Sequence, residues 1–342
     1  MIQVEETLFR DIQKQSCFRP FSLLSGVHSH GYSQPLQRAI VDFAADHPFA
    51  HVSGKMKEHY GIEVPKESVR LMTESHGKHM KAKEFGSDRQ VTAKEMIIAQ
   101  SDGCMVPLVE YKEIPQSQIN WDQRKHKTYA YRELKLSLAH AKGSVTPIFG
   151  GTMGTPAESG KELLTCVQRV GFDQRSYIHG VGDGALWIVN QVEEQFGAQG
   201  HYLIDLYHVC DYLVAAGKQC KLTNEKTWLE DQKTLLKQNQ PLQVLQHLQP
   251  YLEASDVEEF AAPVRDCYRY VENRLTYLDY QSAIANDLPI GSGEIESAHR
   301  YIPQKRLKLA GAWWKKEHAD EMLALRICRA NNDWESYWKM AA

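Results

Sequence analysis

Apolar residues recur at helical spacing in three stretches of residues 34–83. Leu36, Ile40, Val41 and Phe43 mark a helix over Pro35–Ala45. A second helix spans Phe49–Tyr60 and stops at Gly61, a residue free to take the left-handed conformation of a helix C-cap. After the turn Ile62-Glu63-Val64-Pro65, a third runs over Lys66–Met80 with Val69, Leu71 and Met72 as its apolar stripe. Helix, glycine-containing turn, helix is the spacing of a helix-turn-helix, whose second helix enters a DNA major groove. An ordinary helical hairpin shows the same pattern. On the first reading, Lys66, Ser68, Arg70 and Lys78 face DNA. Residues 1–33 look irregular.

The period changes over residues 92–205. Strand formers flank Ser101-Asp102-Gly103 across Ala93–Val109, and Thr128–His140 alternates Leu134, Leu136 and Leu138 against Lys135 and Ser137, as a half-buried strand does. Ser144–Phe149 is a third strand after the Lys142-Gly143 turn. A helix over Glu158–Val170, a strand over Ser176–Gly182, a helix over Ala185–Phe196 and a strand over His201–Asp205 follow. The order β-β-β-α-β-α-β is that of the ribonuclease-H-like fold, in which the first and fourth strands are neighbours. Asp102 and Asp183 would then converge. Taken alone, Asp102-Gly103 also reads as a hairpin turn and Asp183-Gly184 as a helix N-cap. Residues 206–290 read as a helical insertion. Residues 291–342 begin with a Gly-Ser-Gly loop and continue as a basic helix that completes the core, kinked by Pro303 near Tyr301–Ile302. The predicted class is α/β: a ribonuclease-H-like core with a helical insertion and an N-terminal helix-turn-helix domain.

Length and composition narrow the classes. The chain has 342 residues, 42% of them hydrophobic, enough for two or three domains. No apolar run approaches the ~20 residues of a membrane helix. Acids near the N-terminus, where a signal peptide carries bases, point to a cytoplasmic protein. Seven scattered cysteines without a CxxC pair point to reduced thiols. The net charge of −3 excludes a uniformly basic nucleic-acid coat, but it conceals stripes. Arg300, Lys305, Arg306, Lys308, Lys315 and Lys316 lie between residues 297 and 316 with no acid among them. Residues 124–142 hold six bases (Arg124, Lys125, Lys127, Arg132, Lys135 and Lys142) against Glu133, and 253–266 hold five acids against Arg265. Such stripes follow a phosphate backbone or form a solvated face.

The strings YVENRLTYLDYQSAIANDLPIGSGEIESAH (270–299) and QKRLKLAGAWW…LALRICRANNDWESYW (304–338) resemble the C-terminal signature of bacterial insertion-sequence transposases of the ISKra group. SDGCMVP (101–107), YRELKLS (131–137), GDGALWI (182–188) and IDLYHVCDYL (204–213) resemble the group's other blocks, in order. These are DDE enzymes, distantly similar to Mutator-type transposases. The resemblance implies cleavage of DNA at terminal inverted repeats and joining to target DNA, by a homo-oligomer in the bacterial nucleoid. It implies Asp102, Asp183 and Glu296 as the catalytic and metal-binding acids, Glu296 standing three residues after Gly293.

Three carboxylates suit that chemistry. Two Mg²⁺ ions, with Mn²⁺ as a substitute, activate the attacking oxygen and stabilise the leaving one, and they prefer hard oxygen ligands. Glu294, two residues from Glu296, cannot share its helix face. Arg300, Lys305, Arg306 and Lys308 are expected to clamp phosphates. Asp205 and His208 are secondary candidates for metal or substrate, against a structural role. His201, His208, Cys210 and Cys220 fit no standard zinc spacing. Trp313 and Trp314 either stack on an unpaired base or pack inside. A non-catalytic DNA-binding relative and a metal-dependent nuclease on the same fold are the competing readings.

Overall fold

The computed structural model describes residues 6–11, 16–25, 31–82, 91–111, 126–220 and 224–340. In chain order these form β1 (Phe9–Asp11), β2 (Ser16–Phe18), α1 (Pro20–Ser25), α2 (Gln34–Asp46), α3 (Phe49–Tyr60), α4 (Lys66–Lys81), β3 (Met96–Tyr111) and β4 (Lys127–Ala141). Next come β5 (Ile148–Thr152), α5 (Pro156–Val170), β6 (Tyr177–Gly182), α6 (Leu186–Phe196) and β7 (Gly200–Ile204). The remainder is helical: α7 (Leu206–Gln219), α8 (Glu225–Lys237), α9 (Pro241–Leu248), α10 (Pro263–Glu272), α11 (Tyr280–Ala285), α12 (Gly293–His299), α13 (Lys305–Leu307), α14 (Lys316–Ala330) and α15 (Trp334–Met340). Two compact units result: Met1–Phe85 with Pro107–Ala130 and Ile302–Ala342, and Gly86–Val106 with Tyr131–Tyr301.

In the first unit, α2, α3 and α4 lie within one residue of the stretches that the apolar period marks. Gly61 ends α3 in the left-handed conformation, at φ 65°. Helix α4 buries Val69, Thr73, Gly77 and Met80, one face at spacings of three and four. Gly77 lets α14 approach closely, because a Cβ there would lie 2.6 Å from the Glu321 carbonyl oxygen. Val41, Ala45 and Met80 share a core with Leu325, Cys328, Tyr337 and Trp338 of α14 and α15. Residues 302–342, expected to complete the strand-bearing core, pack instead with the N-terminal helices. Their apolar face matches the small-residue face of α4. The expected kink takes the form of a π-helical turn over Arg300–Gln304 that contains Pro303.

The second unit holds most of a five-stranded mixed sheet ordered β5-β4-β3-β6-β7. Counted from β3, the first and fourth strands are therefore neighbours, and they pair in parallel from Met96↔Tyr177 to Gln100↔Val181. Asp102-Gly103 lies inside a continuous 16-residue strand, so it makes no hairpin turn. Strand β5 starts at Ile148, four residues later than Ser144, because Pro147 has no N–H to give a ladder. Strand β4 departs from the half-buried alternation: Lys135 and Ser137 are buried along with the leucines. Both faces of the sheet are covered here. On one, Lys135 Nζ sits 5.4 Å from the ring centre of Trp187 in α6, and on the other Gln100 receives the Ile295 N–H of α12 at 3.0 Å. Helices α7, α10 and α11 of the insertion share one core with β6, β7, α5 and α6, through residues such as Ile178, Leu203, Val209, Val271 and Tyr280.

Candidate active site

Asp102 and Asp183 each follow by two residues the paired Gln100 and Val181, one inside β3 and one just past β6. The turn after β6 is tightly built. Gly184 adopts φ 79°, and its open side faces the Tyr270 hydroxyl, 2.9 Å from where a Cβ would lie. Tyr270 in α10 donates its hydroxyl to the Asp183 carbonyl at 2.6 Å, and Arg274 donates to the Gly184 carbonyl. Asp183 Oδ1 accepts from the Ala185 N–H at 2.9 Å, but the N-cap of α6 is Ala185 itself. The insertion thus buttresses the loop that presents Asp183.

Helix α12, which carries Glu294 and Glu296, is tethered at its start. Asp205, at the end of β7, accepts Ser292 N–H at 2.7 Å and Ser292 Oγ–H at 2.5 Å on Oδ2. Its Oδ1 accepts the N–H groups of Tyr207 and His208, capping α7. Asp205 is 2% exposed and fully engaged, so it serves as a tether. His208 packs its ring against Tyr212 and Tyr270, with centroids 5.5 and 5.9 Å away. Gly291 brings the loop against α7, where a Cβ would stand 2.8 Å from the Tyr207 ring.

The acids feel one another. Burial, and then the charges of Asp183, Glu296 and Glu133, push the Asp102 carboxyl up to about 6, against the opposing pull of the Gly103 N–H at 2.7 Å. Glu296 is among these neighbours. Glu294 turns to His140, its Oε2 lying 2.9 Å from Nε2. Buried His299, one turn after Glu296, places Nε2 3.3 Å from Asp102 Oδ2. Among the described residues no group of three or more His, Cys, Asp or Glu side chains is gathered to hold a metal ion, and that includes the His201, His208, Cys210 and Cys220 set. What suits a hard cation is the chemistry of the donors. Asp102 is a carboxyl whose ionised form is opposed by burial and by like charges, and a cation relieves that opposition.

Sequence reasoning missed Glu133, Lys135 and His299. The Glu133 carboxylate overhangs Gly103, 2.3 Å from where a Cβ would sit, and buried Lys135 donates to it at 2.7 Å. Their signal was a lysine and a glutamate two apart on a strand, read as solvent-facing.

The expected DNA-contacting residues divide in two. Lys66 and Lys78 are exposed and Ser68 is half-buried. Arg70 is held by Glu67 and by Glu74, the latter at 2.6 Å. Arg300, Lys305 and Lys308 are exposed, Lys305 lying 3.7 Å from Asp46. Arg306 departs from the phosphate-clamp expectation. It is 3% exposed, donates to the Ala44 carbonyl and lies between Phe49 and Trp314, and burial pushes it down to about 10. The acids of 253–266 are used locally: Glu253 caps the Val264 and Arg265 N–H groups, and Glu259 pairs with Arg269. Trp314 is buried, whereas Trp313 is 41% exposed with its centroid 4.5 Å from that of Tyr129. Arg124 and Lys125 lie outside the described residues. Among those described, no helix is long and apolar enough to cross a membrane.

No protein-family model matches this chain, and no curated protein matches it. Among solved structures, the Drosophila P element transposase strand transfer complex aligns with 93% of this chain and 83% of its own. The identity is 10% and the TM-score 0.32, a likeness too slight to assign fold or function.

Proposed function

We propose that this chain is a DDE transposase of the ISKra group, with a ribonuclease-H-like core. It binds the terminal repeats of an insertion sequence, cuts the DNA and joins the 3′ ends to a target. One observation carries the reading: Asp102, inside β3, and Asp183, just past β6, each stand two residues beyond a paired position of neighbouring parallel strands, and Glu296 adds to the charge on Asp102. In this reading Asp102, Asp183 and Glu296 would hold two Mg²⁺ ions, which would supply activation of the attacking oxygen and charge neutralisation of the leaving one. The chain's own work is positioning. Asp205 and Gln100 fix the start of α12, and Tyr270 and Arg274 fix the Asp183 turn. His299 flanks Asp102 and limits where its carboxylate swings. Lys66, Lys78, Arg300, Lys305 and Lys308 supply phosphate contacts, which position DNA without reading it. The helix-turn-helix role of α3 and α4, assembly as a homo-oligomer on DNA and residence in the bacterial nucleoid belong to the same proposal. An assay of Mg²⁺-dependent cleavage and strand transfer on DNA bearing the element's ends tests it. Strand-transfer products are expected, and nicking without joining would favour a nuclease.

A further inference from the structure

The first unit contains a second candidate site, and its lining points to a ligand of defined chemistry. A cleft of about 420 Å³ lies among Phe49, Tyr111, Arg306, Trp313, Trp314 and Lys315. That is within the ~300–1,000 Å³ usual for ligand pockets. Phe49 and Trp314 meet edge to face, centroids 6.2 Å apart, and the Arg306 guanidinium lies 4.8 Å from each ring. In this floor Trp314 and Arg306 are buried and Phe49 is half-buried. Trp314 Nε1–H has no acceptor among the described residues. Trp313 leaves part of its ring exposed, and Lys315 holds its ammonium 5.5 Å from the Tyr111 ring centre at the exposed rim. On another wall Glu74 and Arg70, joined at 2.6 Å, present an acceptor and a planar donor side by side.

We infer that this cleft takes one unpaired nucleotide of a single strand. The base stacks on Trp313, its polar edge meets Glu74 and Arg70, and its phosphate meets Lys315. Flat aromatic faces with cations at the rim are the means by which proteins hold single-stranded nucleic acid. A base inside a duplex cannot offer its face to such a wall. The inference shares with the proposed function only DNA as the partner, and it needs neither the acids nor a metal.

The test uses the full chain in EDTA and a ten-nucleotide DNA strand carrying one 2-aminopurine. Fluorescence quenching is expected on binding. Trp313→Ala should weaken binding roughly ten- to a hundredfold, the size of one lost base stack, with Trp313→Phe within about threefold of the parent. Lys315→Ala should flatten the salt dependence by ~0.7 log units, as one lost single-strand phosphate contact does. Three outcomes would overturn the inference: Trp313→Ala binding within twofold of the parent, AMP competing as tightly as the strand, or the duplex of the same sequence competing equally. Because no metal is present, failure here leaves Mg²⁺-dependent cleavage untouched, and failure of cleavage leaves this binding untouched.

Discussion

The carboxylate of Asp205 holds Ser292, 87 residues further along the chain, through both its N–H and its hydroxyl, at 2.7 and 2.5 Å. The same carboxylate caps α7, so one side chain ties the end of β7 to the start of the Glu296 helix. Asp205→Ala removes the cap, worth ~1 kcal/mol, and charge-assisted bonds worth ~1.5–3 kcal/mol. A loss near 3 kcal/mol in urea unfolding is expected, with Ser292→Ala losing about a third of that. A loss below ~1 kcal/mol for Asp205→Ala would show that the tether is not needed.

Asp102 links the candidate site to pH. Its folded carboxyl is raised to about 6 from an ordinary value near 4, so the folded state binds the proton more tightly than the unfolded one. Stability should therefore fall as pH rises from about 4 to about 6 and level off above. Asp102 is one-third exposed, so solvent screening trims the effect to about 1–2 kcal/mol. Asp102→Asn should be more stable than the parent at pH 7.5 and should lack this slope. Thermal melts across pH 4–8 read both, and identical curves for the two proteins would contradict the electrostatic account.

Glu133 and Lys135 should respond unequally to substitution. Lys135 is 5% exposed, so Glu133→Ala leaves a buried ammonium with only the Gly154 carbonyl, 3.4 Å away, a loss of about 3–5 kcal/mol for a broken buried pair. Glu133 is more open, and Lys135→Met keeps the packing on Trp187 while leaving a carboxylate that water reaches. The methionine variant should be the milder by ~2 kcal/mol in chemical denaturation. Equal losses would mean that the pair adds little beyond packing.

The basic stripe should separate into structural and contacting members. Arg306→Ala should lower stability by about 3 kcal/mol, since it empties the space between Phe49 and Trp314 and orphans the Ala44 carbonyl. Removing Arg300, Lys305 and Lys308 together should leave the melt nearly unchanged and flatten the salt dependence of duplex binding by ~0.9 log units per lost contact. Melting curves and affinity at several salt concentrations tell the two classes apart. A triple variant with the parent slope would remove these residues from the DNA surface.

Arg306 also shows where sequence reading stops. In a run of bases without acids it looks like every other cation, and the rings that enclose it include Phe49, far away in the chain. Lys135 and Ser137 fail for the same reason. Alternation shows that a strand has two unlike faces, but it does not show that a helix will cover the polar one. What depends on neighbouring residues was legible: α2 to α4 and the strand–helix order around Asp102 and Asp183. The partners of those acids were not. Glu133 adds its charge to Asp102 from the neighbouring strand β4, and His299 meets it from a helix nearly two hundred residues later. Neither contact leaves a mark in local periodicity.

The central claim is that Asp102, Asp183 and Glu296 act together on a phosphodiester while Glu294, facing His140, does not. The direct measurement is Mg²⁺-dependent cleavage of DNA bearing the element's ends by Asp102→Asn, Asp183→Asn, Glu296→Gln and Glu294→Gln, with DNA binding followed in parallel. All four should bind DNA as the parent does, the first three should be inactive, and Glu294→Gln should cleave normally. A Glu296→Gln protein that still cuts, beside an inactive Glu294→Gln, would contradict the account.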